Sequence, residues 1–77
     1  MSKRVNANYE IIAAIPIDHT HEIVIGHNPS APAPYVCWNC RNTDDYSDGG
    51  YCSTYRQALY VMSERIQRRY EFIPVEF

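Results

Sequence analysis

Apolar residues recur every second position from Tyr9, with Tyr9, Ile11, Ala13, Ile15 and Ile17 falling on one side of an extended segment. That spacing predicts a strand over 9–17. Pro16 cannot donate a ladder hydrogen bond, so it marks the strand's end or an edge position. Asp18-His19-Thr20 is turn chemistry, and 21–27 then alternates again, with Ile23 and Ile25 on one face and Glu22 and Val24 on the other. Two alternating runs joined by a turn predict an antiparallel hairpin.

Asn28-Pro29-Ser30-Ala31-Pro32-Ala33-Pro34 is a stiff, extended connection, able to carry the chain across an end of the sheet. A third strand is predicted over 35–40, a polar loop over 41–50 and a short fourth strand over 50–52. Beyond it the period changes. Tyr55, Ala58, Leu59, Met62, Ile66 and Tyr70 form one apolar stripe at helical spacing. Thr54 followed by Gln57 fits a capping box, with Ser53 as the competing cap. The helix is therefore expected over 54–70.

The fold class expected is α+β, a three- to four-stranded antiparallel sheet with one C-terminal helix packed on one face. Ile11, Ile15, Ile23, Ile25, Val36, Trp38, Leu59, Met62 and Ile66 are the expected core. Residues 1–77 read as one small domain with a loose arm over 1–8 and an apolar tail over 71–77. The tail either folds back on the core or meets a partner, a second copy of the chain included.

Composition sharpens this picture in three ways. Seventy-seven residues lie near the lower limit for a domain held by one hydrophobic core. Seven tyrosines suit half-buried sheet faces and binding surfaces alike. The net charge of −2 hides an asymmetry. Glu10, Asp18, Glu22, Asp44, Asp45 and Asp48 are set against Arg41 in the first part, whereas Arg56, Arg65, Arg68 and Arg69 are set against Glu64 in the helix. The plain reading of the basic end is a solvated helix C-terminus whose arginines complement the dipole. No run is long and apolar enough to span a bilayer, and 1–8 carries no signal-peptide core. With three cysteines, an odd count, a cytoplasmic setting is expected.

Cys37-Trp38-Asn39-Cys40 has the two-residue gap of a zinc knuckle. Cys52 could add a third ligand, and His27, His21 or His19 a fourth. The same residues also read as a plain strand in which Cys37 and Cys40 point to opposite faces, and free buried cysteine is the favoured reading. No cofactor is expected; a zinc-stabilised adaptor domain using Cys37, Cys40, Cys52 and His27 is the alternative. A redox role would place the pair at a helix N-terminus, which this stretch does not resemble. His19 and His21 fit exposed turn and strand-end positions. Asp44 to Gly50 lacks the alternation and closing glutamate of a calcium hand.

Arg65, Arg68 and Arg69 with Tyr70 make a small basic helix end. No glycine-rich loop, recognition motif or broad basic face accompanies it, so direct nucleic-acid binding is not expected. An enzyme would have to use Cys37 or Cys40 with one of the three histidines, inside a domain with little volume for a pocket. A binding protein needs only a surface. Asp44, Asp45, Tyr46, Asp48, Glu22 and Phe77 are the expected contacts, tyrosine and acid together suiting a basic protein partner.

Ile25-Gly26-His27-Asn28-Pro29, Ala31-Pro32, Pro34-Tyr35-Val36-Cys37-Trp38, the Gly-Tyr-Cys segment and the helix resemble a group of small proteins of no settled activity. They are carried on phages and conjugative elements of gut bacteria. The resemblance implies no catalytic residue. It implies a setting in which small accessory proteins bind a host or rival protein, anti-CRISPR inhibitors of a nuclease among them.

Overall fold

The computed structural model describes residues 3–70. Five strands, β1 (Val5–Asn6), β2 (Tyr9–Pro16), β3 (His21–His27), β4 (Tyr35–Arg41) and β5 (Asp45–Cys52), precede one helix, α1 (Tyr55–Tyr70). The strands form an antiparallel meander in sequence order, and α1 lies across β3, β4 and β5 on one face. The α+β class and the C-terminal helix are as the pattern predicts; the sheet has five strands where three to four were expected. Phe77 and the tail lie outside the described residues.

Both extra pieces of sheet come from turns that polar composition disguises. Val5 pairs with Glu10 and Asn6 with Tyr9 across Ala7 and Asn8, whose φ angles are 51° and 69°. Two left-handed residues in a two-residue loop match the twist of the flanking strands, so the arm carries a short strand. Asn42 and Thr43 are again left-handed, at φ 55° and 64°, here in a three-residue connection between paired Arg41 and Asp45, and the Asp44 amide reaches Arg41 O at 3.4 Å. The expected loop over 41–50 is therefore a tight turn followed by the long strand β5.

Two bulges decide which side chains share a face. In β2 the register slips between Ile11 and Ala13, so Ile12 is extra. Tyr9 and Ile11 fall on the face away from the helix, and Ala13 and Ile17 pack on the helix side. The single apolar side expected for 9–17 is thus split between two faces. In β5 the slip lies opposite Cys37 to Asn39, and Asp48 takes φ 62°.

The sheet consequently separates two cores. On the helix side Ile23, Ile25, Cys37 and Cys52 meet Ala58 and Met62. On the other side Tyr9, Val24, Val36, Trp38 and Cys40 are buried with Ala31 and Tyr46 against them. Among the described residues no helix covers this second face. The β3–β4 connection and the arm cover it instead, with the Tyr9 hydroxyl donating to Ala33 O at 2.7 Å. Arg4 reaches over the same face and donates to Glu22, Thr43 O and the Tyr46 hydroxyl. Of the expected core, Ile23, Ile25, Val36, Trp38 and Met62 are buried and Ile11 and Ile66 half-buried. Ile15 and Leu59 are each 42% exposed, because α1 sits over β3–β5 and leaves the end of β2 beside it rather than beneath it.

The cap of α1 follows its sequence signal. The Gln57 amide donates to Thr54 Oγ1 at 3.1 Å, and Gln57 Oε1 accepts from the Ser53 amide at 2.8 Å. Thr54 is the cap, and the reciprocal bond falls one residue earlier than in the standard box.

Candidate functional site

Cys37 and Cys40 occupy one strand three residues apart and so face opposite sides of the sheet. Cys37 lies with Cys52 in the helix-side core, and Cys40 lies beneath Arg4 in the other. His27 stacks on Tyr35 with ring centroids 4.6 Å apart. The four residues of the zinc alternative do not converge, and among the described residues no group of three or more metal-ligating side chains does. All three thiols are free and buried. Burial pushes the Cys37 thiol up to about 11, with the nearby Arg65 charge opposing it. Burial raises Cys40 and Cys52 as well. A protonated, enclosed thiol is a poor nucleophile and a poor metal ligand.

The histidines are spread in the same way. Asp18 accepts hydrogen bonds from the Thr20 and His21 amides, both at 2.8 Å, and meets His21 Nδ1 at 3.0 Å. These donors hold its carboxyl far below the usual range. His21 is thereby tied to the β2–β3 turn at the first position of β3, half-buried where an exposed position was expected.

The acidic set divides into groups with different surroundings. Glu22, 16% exposed in its side chain, is paired with Arg4. Tyr46 packs on Trp38 at 5.5 Å between centroids and lies under the same guanidinium. Asp45 pairs with Arg41 at 3.0 Å, both groups well exposed. Asp44 in the turn and Asp48 at the bulge are exposed, with no ion pair among the described residues. The structure thus brings Asp44, Asp45 and Asp48 to one end of β4–β5, while Glu22 and Tyr46 belong to the Arg4 network.

Two concave surfaces flank β5. A shallow groove along its free edge is lined by Tyr51, Cys52, Arg56, Gln57, Tyr60 and Val61; Tyr51 is 61% and Tyr60 65% exposed. The larger one, about 700 Å³, lies where the C-terminal half of α1 overhangs the ends of β3, β4 and β5. His21, Asn39, Arg41, Asp45, Ser47 and Asp48 come from the sheet, and Arg65, Arg68 and Arg69 from the helix. Acidic and basic segments therefore face each other across one cleft. Arg65 donates to Asn39 Oδ1 at 3.2 Å, and a Cβ on Gly50 would lie 3.2 Å from its Nη2. The missing side chain at Gly50 lets the guanidinium lie close over the sheet.

Sequence reasoning did not find Arg4, Tyr51, Tyr60 or the Arg65–Asn39 contact. For Tyr51 and Tyr60 the signal was the tyrosine count; for Arg4 and Asn39 there was none, because their partners are distant in the chain. No protein-family description, curated protein or solved structure matches the chain. No described helix is long and apolar enough to cross a membrane.

Proposed function

We propose that the chain is a non-enzymatic, cytoplasmic protein-binding module, and more finely an inhibitor that engages a basic surface of a defence nuclease. The observation that carries the reading is the outer edge of β5. Its backbone is the last in the sheet, its first half and turn bear Asp44, Asp45 and Asp48, and its second half is flanked by exposed Tyr51 and Tyr60. Edge backbone groups with no strand partner among the described residues offer strand addition, aromatic anchors offer contact area at small entropic cost, and carboxylates favour a cationic partner. The nuclease setting rests on the resemblance described above. Buried, protonated cysteines support the non-enzymatic part.

The experiment is interference of the purified chain with cleavage by CRISPR nucleases, read with direct binding. Tyr51→Ala with Tyr60→Ala, and separately charge reversal at Asp44, Asp45 and Asp48, should each weaken binding by tenfold or more. Binding untouched by either set would remove the β5 edge from the mechanism. Absence of binding to any nuclease or other defence protein would remove the inhibitor reading.

A further inference from the structure

We infer that the cleft under the C-terminal half of α1 is a binding site for a small, multiply charged phosphate anion. Four guanidiniums line it, those of Arg41, Arg65, Arg68 and Arg69, against the carboxylates of Asp45 and Asp48. Among the described residues Arg41 alone of the four has an ionic partner. Arg65 is the informative one. It is half-buried, braced by Asn39 and by the absence of a side chain at Gly50, and its one polar contact among the described residues is a neutral amide. A partly enclosed guanidinium with no carboxylate in direct contact among the described residues gains from an anion seated against it.

Phosphate suits the donors better than a carboxylate does. Planar guanidiniums pair two at a time with carboxylate and phosphate oxygens alike. Only a phosphate group, however, offers enough oxygens and charge to engage several of them at once, with Ser47 and Asn39 on the floor adding neutral hydrogen-bonding groups. The two aspartates cancel part of the positive charge, so a monoanion gains little and a di- or trianion gains most. The volume falls within the range of ordinary small-ligand sites. Free diphosphate and the diphosphate of a nucleotide present the same chemistry, and the site is assigned to that shared group.

The test is calorimetric titration of the full chain with inorganic pyrophosphate, then with adenosine and uridine diphosphates, at constant ionic strength. One saturable site is expected, with amide shifts at Asn39 and Ser47 in nuclear magnetic resonance spectra. Arg65→Gln should weaken binding at least tenfold. Arg68→Gln with Arg69→Gln, both exposed and free of core contacts, should do the same with thermal stability unchanged, and that double variant decides the matter if Arg65→Gln fails to fold. Arg56→Gln, on the groove beside the β5 edge, should leave binding intact. Equal affinity for pyrophosphate and both nucleotides assigns recognition to the diphosphate, and tighter binding of a nucleotide with the same arginine dependence assigns it a nucleoside subsite as well. Absence of saturable pyrophosphate binding, or binding unchanged in both arginine variants, overturns the inference.

Discussion

Gly26 offers the sharpest test of the face turned away from α1. It is buried in β3, and a Cβ placed on it would lie 2.9 Å from Tyr9 Cβ, 3.0 Å from Trp38 Cζ3 and 3.2 Å from Val36 Cγ1. The first neighbour is fixed to its backbone, and the second belongs to an indole held edge-on by Tyr9 at 5.6 Å between ring centroids. Neither can swing aside. In a strand without such crowding, alanine in place of glycine would gain about 0.5–1 kcal/mol through lost unfolded-state freedom. Forcing a methyl into a packed core costs about 1–3 kcal/mol, so Gly26→Ala should lose a net ~1–2 kcal/mol. A domain of this length has roughly 4–11 kcal/mol in all, and each kilocalorie shifts Tm by about 4–8 °C. The drop expected is therefore on the order of 5–15 °C. Trp38, the only tryptophan, touches the site and reports by fluorescence beside far-ultraviolet dichroism. Gly50→Ala is the control, since its closest contact is the far end of Arg65 at 3.2 Å, which can yield. Should Gly26→Ala prove as stable as the parent, Tyr9 and Trp38 do not close over β3 as described, and the second core loses its basis.

Met62→Ala, at a position 3% exposed, should cost about 2–5 kcal/mol in urea unfolding, whereas Leu59→Ala, 42% exposed, should cost below about 1.5 kcal/mol. Arg4→Ala removes the counter-charge of half-buried Glu22 and should cost about 1–3 kcal/mol, with a change in Trp38 emission that Lys3→Ala does not produce. The Cys37 thiol ordinarily titrates near 9.0 and here near 11. Between those values the unfolded chain releases a proton that the native chain keeps, so stability should fall as pH rises from 9 to 11; Cys37→Ser should flatten that slope, and a slope unchanged in the variant would contradict the assignment. Elemental analysis should find no stoichiometric zinc, and chelator should leave Tm unmoved; zinc at one equivalent would require a fold in which Cys37 and Cys40 share a side.

The helix was legible because its signals are local. Thr54, Gln57 and the recurrence of Ala58 and Met62 act within a few residues of one another, and the cap forms as they imply. Strands β3 and β4 were legible for a similar reason, being short, largely apolar runs between turn residues, buried on both faces. What was hidden depended on residues with no local mark. A bulge at Ile12 changes the side of everything after it, yet isoleucine is as good a strand residue inside a bulge as outside one. Asn42-Thr43 lacks the glycine that usually announces a tight hairpin, so the strand after it read as loop. Leu59 fits a helical stripe wider than the strip of sheet available to receive it. The site was legible only in its parts. Arginines on the helix and aspartates beyond β4 were noted separately, and only the meander's return under α1 sets them across one cleft.

The position of β3 and β4 between the two cores has a consequence in time. Ile23, Ile25 and Cys37 serve one side and Val24, Val36, Trp38 and Cys40 the other, so opening either side exposes the same two strands. Lifting α1 or peeling back the arm is a partial event, but releasing the central backbone requires both. Amide protons from Ile23 to Ile25 and from Val36 to Trp38 should therefore exchange only through global unfolding, while those of β1 and of the free edge of β5 exchange through small local openings. The β3–β4 hairpin is thus the slowest clock in the molecule, and the β5 edge and α1, which carry most of the surface offered to partners, run on faster ones.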